Sequence, residues 1–204
     1  IILKAAEQSP LTAIKMAELW TEAGGPQGTF MVMTSADPVA VSKVMMDDPR
    51  IRKITFTGST EVGRLLAAQA APTLKKVSLE LGGHAPFIVF DDADLDQAVQ
   101  DVITCKFRNA GQTCVCTNRI YVQRKVAELF TQKLTQAVSQ MKTGDPLLGS
   151  TQIGPLVDQQ GLAKVQRHIE DAVAQGATIH TGGHVLEGLL FCPTVMSGVT
   201  ADML

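Results

Sequence analysis

Three short stretches hold side chains whose types and spacing could do chemistry. In Phe107-Arg108-Asn109-Ala110-Gly111-Gln112-Thr113-Cys114-Val115-Cys116 a cysteine lies in a glycine-containing loop after a helical segment. The thiolate is the reactive form of cysteine, so Cys114 reads either as an activated nucleophile or as an inert small core residue. In Leu79-Glu80-Leu81-Gly82-Gly83 a carboxylate stands between two leucines beside a Gly-Gly break. Glu80 reads as a general base, made a better one by partial burial, or as a solvated strand-end charge. From Ile54 to Gly63 an apolar strand runs through Gly58-Ser59 into a helix. A helix N-terminus presents free N–H groups and the positive end of its dipole, which suits a pyrophosphate. Gly58 would let the backbone approach such a group closely, and Ser59 could donate a hydroxyl. The same residues also read as an ordinary strand–helix turn, and they form neither G-x-G-x-x-G nor a Walker loop. Together the three stretches carry the parts of a covalent oxidation: a phosphate anchor, a base and a thiol.

The elements that must position these groups alternate. Ile1 to Leu3 reads as a strand, and Ser9-Pro10 as a capped helix start running to about Ala23. Strands follow at Phe30–Met33, Ile51–Thr57, Val77–Leu81 and Pro86–Phe90, with helices over Pro38–Asp47 and from Ser59 to about Ala71. Asp94 caps the next helix, with Gln97 in capping-box position. Leu95, Ala98, Val99, Val102 and Ile103 follow a helical template there. A strand at Ile120–Val122, helices over Val126–Met141 and Leu162–Ala174, and a strand at Thr178–Thr181 complete the chain. On the second of these helices Val126, Leu129, Phe130, Ala137, Val138 and Met141 fall near one face. Such alternation predicts an α/β fold with parallel sheets, and Gly82-Gly83 is the natural boundary between two halves.

Composition narrows the classes. The chain has 204 residues, 45% hydrophobic and 19% charged, which is globular rather than disordered. Eighteen basic against 20 acidic residues give a net charge of −2, with no excess to neutralise a nucleic-acid backbone. The purely apolar runs, such as Phe87-Ile88-Val89-Phe90, are far short of the about 20 residues of a membrane span. Cys105, Cys114, Cys116 and Cys192 are too few and too irregular for a disulfide framework. Free thiols in a reducing cytoplasm are therefore expected, and without C-x2-C pairs no metal is. No signal peptide is visible. The start at Ile1 and the unpunctuated end at Leu204 read as those of a fragment of a longer protein.

In order and separation, Phe56-Thr57-Gly58-Ser59-Thr60-Glu61-Val62-Gly63, Leu79-Glu80-Leu81-Gly82-Gly83 and Gly111-Gln112-Thr113-Cys114 resemble the NAD(P)-dependent aldehyde dehydrogenase superfamily. The resemblance runs from Lys4-Ala5-Ala6-Glu7 to the last residues. Ala85-Pro86-Phe87-Ile88-Val89-Phe90 and the segment Lys106 to Cys116 are most similar to its succinate-semialdehyde dehydrogenase branch. The resemblance implies a partial Rossmann-like cofactor-binding domain over 1–81 and part of an α/β catalytic domain over 82–204, with the active site where they meet. It implies that Cys114 attacks the aldehyde carbon, that hydride transfer leaves a thioester, and that Glu80 activates the hydrolytic water. The Cys114 N–H would be one oxyanion donor. Gly58, Ser59, Thr60, Gly63 and the helix they open match the pyrophosphate contacts, and Lys4 and Glu7 the adenosine-ribose contacts. Arg108 matches the arginine that holds the substrate's remote carboxylate, for which a guanidinium fork is suited.

Glu7 would accept hydrogen bonds from a ribose 2′-OH and repel a 2′-phosphate, which favours NAD, while Lys4 keeps NADP open. Ala5 stands where the family usually has proline. The family's oxyanion asparagine, its second substrate arginine, a later nicotinamide-ribose glutamate and its oligomerisation segments have no counterpart in these residues. The isolated chain is thus expected to be inactive, and its parent to be a homo-oligomeric enzyme acting on a small aldehyde without nucleic acid or membrane. Cys116 either closes a reversible C-x-C disulfide with Cys114 or simply packs. Glutarate semialdehyde or a broader aldehyde range is the alternative substrate. A nucleotide-binding module without catalysis is the alternative from another class. A Cys–His thioester enzyme is a third, but His84, His168, His180 and His184 all lie outside the Cys114 loop.

Overall fold

Each parallel strand pair in this chain is built the same way: an apolar strand, a helix long enough to cross back, and a second strand beside the first. A computed structural model describes residues 1–204, which divide into two compact units, Ile1–Leu81 and Gly82–Leu204. In the first unit β1 (Ile2–Lys4) pairs in parallel with β2 (Met31–Met33) across helix α1 (Pro10–Glu22). After α2 (Pro38–Asp47), β3 (Lys53–Thr57) pairs in parallel with β4 (Lys76–Glu80) across α3 (Thr60–Ala70) and a 3-10 turn at Ala71–Thr73. Met46, Ile54, Leu66 and Ala70 are its buried core, with Ile51 and Phe56 packed against them.

In the second unit β5 (Ala85–Val89) pairs in parallel with β6 (Thr117–Val122) across α4 (Leu95–Lys106). Helices α5 (Arg124–Ser139) and α6 (Gln159–Ala174) follow, then β7 (Thr178–Thr181), β8 (Val185–Glu187), β9 (Leu190–Phe191) and β10 (Val195–Ser197). Val89, Ala98, Val99, Val102, Phe130, Leu134 and Val138 form the main core, and Leu156, Leu162, Ile169 and Phe191 a second one.

Several expectations are corrected. The sheets are not all parallel: β7 pairs antiparallel with β10, and β8 with β9. No helix separates β8 from β9, and Gly188, at φ +55°, makes the tight reversal that an antiparallel pair permits. Ser9 precedes α1 but its side chain makes no capping bond. Asp37 caps α2 instead, its Oδ1 accepting from the Val39 and Ala40 N–H groups at 3.0 Å each. At α4 Asp94 caps as expected, but Gln97 donates to Asp101 rather than back to the cap, so only half of the capping box forms. On α5 Leu129 is exposed, and Leu134, one turn after Phe130 and one before Val138, takes the core position.

The exit of α2 carries a pH-dependent contact. Asp48 accepts from the Arg50 guanidinium and, to a lesser degree, from the Arg50 backbone N–H, which together hold its carboxyl at about 2. The depressed value means the pair stabilises the fold above the ordinary carboxylate range and is lost as pH falls towards 2. Titration of Asp48 by NMR is expected to show this low midpoint. Arg50→Ala, which keeps the backbone N–H bond, is expected to move it up towards the ordinary range, with most of the stability difference between the two proteins gone by pH 2. An unmoved midpoint would show that Arg50 is not the cause.

Candidate active site

The first unit brings two of the singled-out stretches to one edge. The parallel register sets Thr57 beside Glu80, so β3 and β4 end together, and the Gly58 N–H donates to the Glu80 carbonyl at 3.0 Å. Ligands of α/β folds bind outside the carboxyl ends of such strands. Ser59 caps α3: its Oγ accepts from the Val62 N–H at 3.2 Å, and its carbonyl from the Gly63 N–H at 3.0 Å. That bond uses an oxygen lone pair, so the hydroxyl proton remains free to donate. Thr60 and Glu61, the first helical residues, have no preceding turn to accept their N–H groups.

The two glycines of this turn serve different ends. A Cβ on Gly58 would sit 2.3 Å from the Phe56 ring, so an added methyl displaces a side chain that packs on the core. Gly63 is buried, and its Cβ would meet Leu81 Cδ2 at 2.5 Å. Gly63 therefore lets α3 approach the strand end. The edge fits an anionic diphosphate: a helix N-terminus, a free hydroxyl and a backbone without a Cβ in the way.

Glu80, the last residue of β4, is exposed, not partly buried as its leucine neighbours suggest. At the end of β1, Lys4 is ion-paired with Glu7. The ammonium donating to it holds the Glu7 carboxyl below its ordinary value. Ala5 is buried, and its N–H donates to the Met33 carbonyl at 2.9 Å. Proline could not make that bond, so the departure at this position lengthens the β1–β2 ladder.

The second unit builds the thiol loop. Helix α4 stops at Lys106, and Arg108–Gly111 forms a 3-10 turn in which Asn109 (φ 53°), Ala110 (φ 54°) and Gly111 are all left-handed. For residues with a Cβ this costs about 1–2 kcal/mol each, so the surroundings must hold the turn. Ala110 N–H donates to the Phe107 carbonyl at 3.1 Å, Gln112 N–H to the Asn109 carbonyl at 3.1 Å, and Asn109 Nδ2 to the Gln112 carbonyl at 3.2 Å. The next turn is closed by the Cys116 N–H donating to the Thr113 carbonyl at 3.1 Å. Cys114 lies on its outside and is exposed, whereas Cys116 is 1% exposed. Cys116 Sγ lies 3.6 Å from the Lys106 carbonyl, so it packs inward, and all four cysteines are free thiols.

Arg108 is exposed at the start of this turn and forms no ion pair in the chain. Its guanidinium is thus available to an anion. The sequence reading missed Lys106 and Asn118. Lys106 Nζ donates to Asn118 Oδ1 at 2.7 Å, and Asn118 Nδ2 to the Gly83 carbonyl at 3.2 Å, tying the end of α4 to the entry of β5. Burial pushes the Lys106 ammonium below its ordinary lysine value. The signal was a lysine directly before the loop, twelve residues from an asparagine, which no spacing rule singles out. Three histidines are engaged elsewhere: His168 with the Leu204 carbonyl, His180 with Ser197 and His184 with the Gly182 carbonyl.

A model of the aldehyde dehydrogenase family matches residues 1–204. The chain belongs to the aldehyde dehydrogenase family. It is 52% identical over 99% of its length to a succinate-semialdehyde dehydrogenase [NADP(+)] of Escherichia coli K12, covering 42% of that protein. It is 50% identical over 98% of its length to a glutarate-semialdehyde dehydrogenase of Pseudomonas putida KT2440, covering 41% of it. The crystal structure of succinate-semialdehyde dehydrogenase from Burkholderia pseudomallei superposes with a TM-score of 0.96 at 51% identity, over 100% of this chain and 42% of that one. The fold is therefore that of an α/β aldehyde dehydrogenase, and the chain spans about two fifths of the length of these relatives. As a family member it contains no helix long and apolar enough to cross a membrane.

Proposed function

We propose that the enzyme containing this chain oxidises succinate semialdehyde to succinate with NAD(P). The observation that carries the reading is the exposed Cys114, on the turn that directly follows the strained one begun by the unpaired Arg108. The relatives support it. Their names pair an aldehyde with a second, anionic end: succinate semialdehyde, glutarate semialdehyde and, at 49% identity in Pseudomonas putida, 3-sulfolactaldehyde.

In this reading residues 1–81 bind the cofactor and residues 82–204 carry the thiol. Gly58, Ser59 and Thr60 hold the diphosphate at the start of α3, Gly63 allows that helix its close approach, and Lys4 and Glu7 take the adenosine ribose. The Lys4–Glu7 ion pair partly neutralises the carboxylate that would repel a 2′-phosphate, consistent with NADP as well as NAD. When bound, the nicotinamide accepts the hydride. Cys114 Sγ, as the thiolate, adds to the aldehyde carbon to give a thiohemiacetal, with its own N–H donating to the oxyanion. Loss of hydride from that carbon leaves a thioester on Cys114. Glu80 takes a proton from water, the hydroxide adds to the thioester carbonyl, and the C–S bond breaks to release the acid and the thiolate.

Arg108 selects the substrate by donating to its remote carboxylate. A hydrogen bond to a charged group of this kind corresponds to roughly a 10- to 150-fold preference. The test compares NAD(P)H formation from succinate semialdehyde and from butanal by the full-length enzyme. A preference for the acid-bearing aldehyde, reduced by about that factor in Arg108→Met, is the expected result. Equal rates in the parent enzyme would make it a general aldehyde dehydrogenase. A glutarate-semialdehyde enzyme is the second reading, favoured by the 50% identity to one, and a higher kcat/KM for the five-carbon substrate would establish it.

A further inference from the structure

We infer that Gln112 is a positioning residue for Cys114, acting as a clamp between the thiol turn and the extended segment Pro155–Val157. This rests on the reading of Cys114 as the nucleophile and assigns it the support that the strained turn requires. The carboxamide of Gln112 uses both its ends. Its Oε1 accepts from the Val157 N–H at 2.8 Å, and its Nε2 donates to the Pro155 carbonyl at 3.3 Å and to the Asn109 carbonyl at 3.1 Å. One side chain thus reads a short stretch of backbone 43–45 residues away much as a neighbouring strand would.

That stretch is firmly anchored. Ile153 and Leu156 are 3% and 8% exposed, and the Leu156 N–H donates to the Leu189 carbonyl at 2.9 Å. Leu156 belongs to the second core, with Leu162, Ile169 and Phe191. The thiol turn, by contrast, is exposed at Arg108, Asn109 and Cys114 and carries three successive left-handed residues. Its own short-range bonds close the turn on itself but do not fix it to the body of the unit. On the Cys114 side, Gln112 does so two residues before the thiol. A nucleophile displaced by about 1 Å can lose 100-fold in rate, so such an anchor has catalytic leverage without touching the substrate.

The test uses the full-length enzyme with Gln112→Leu, which removes all three bonds, and Gln112→Glu, which keeps the shape and the acceptor for Val157. The readouts are the rate of the first-turnover NAD(P)H burst, the cofactor KM, and hydrogen exchange at the Val157 amide. Gln112→Leu is expected to slow the burst by about 10- to 100-fold with cofactor KM unchanged, and to remove protection at Val157. Gln112→Glu, which turns an acceptor oxygen towards the Pro155 and Asn109 carbonyls, is expected to slow the burst as well, and it carries the test alone if the leucine variant fails to fold. A burst rate within threefold of the parent in every variant that folds would overturn the clamp. So would a loss confined to the aldehyde KM, which would make Gln112 a substrate contact. Failure of the underlying reading is separate: it would show as a burst that survives Cys114→Ala.

Discussion

A Cys114→Ala variant of the full-length enzyme is expected to lose aldehyde oxidation by about 10³-fold or more, while cofactor binding is unchanged. The size of the effect follows from the absence of a substitute. Cys116, two residues on, is 1% exposed with its Sγ at the Lys106 carbonyl, so it cannot reach a substrate that Cys114 reaches. Cys105, on α4, and Cys192, in the connection between β9 and β10, are both half-buried and lie outside the loop. Without a thiol, hydride would have to leave an aldehyde hydrate, and the addition that raises electron density on the reacting carbon would fall to water. Two measurements check it. Steady-state NAD(P)H formation should be lost, and mass spectrometry of enzyme quenched with substrate should show an acyl adduct on the peptide holding Cys114 in the parent only. Turnover above a tenth of the parent rate in the alanine variant would remove Cys114 from the chemistry.

The residues that carry this prediction were legible in the sequence because their signals are local. A glycine-bearing loop after an amphipathic helix, a Gly-Ser pair after an apolar strand, and a carboxylate beside Gly-Gly can each be read within ten residues. The β3–α3–β4 and β5–α4–β6 crossovers were legible for the same reason, since apolar periodicity marks both strand and helix. Leu134, four residues from both Phe130 and Val138, fits the helical face better than Leu129 does, so periodicity could have placed it, and its burial against α4 and the strands bears that out. What the sequence did not disclose depends on partners far along the chain. The exposure of Glu80, the last residue of β4, is not signalled by its leucine neighbours. Strand direction in β7–β10 depends on the tight β8–β9 reversal and on a β7–β10 connection that holds that hairpin in place of a helix. Ala5, read as a lost proline, turns out to use the N–H that proline lacks, and its acceptor is on Met33. Lys106 and Gln112 are of this second kind: their neighbours in the chain say nothing of Asn118, Pro155 or Val157.

Glu80→Gln is expected to separate the two halves of the reaction. If Glu80 activates water only at the thioester, the amide variant should still acylate. Its first-turnover burst of NAD(P)H should match the enzyme concentration at a rate close to the parent's, and the steady-state rate should then fall by about 10²- to 10⁴-fold. Glutamine fills the same volume and can still hold a water by hydrogen bonding, but it cannot take the proton, so the loss reads base strength and not shape. The exposure of Glu80 supports this division of labour: a carboxylate open to solvent at a strand end meets water directly. The Gly58 N–H, donating to the Glu80 carbonyl, ties that strand end to the start of α3, so the backbone beneath the base is held while the side chain is free to reach outward. Rapid quenching followed by peptide mass spectrometry should find the acyl group accumulated on Cys114 in Glu80→Gln and not in the parent. A burst slowed as much as the steady state would reassign Glu80 to deprotonating the thiol before attack. A variant with unchanged turnover would return Glu80 to a solvated strand-end charge.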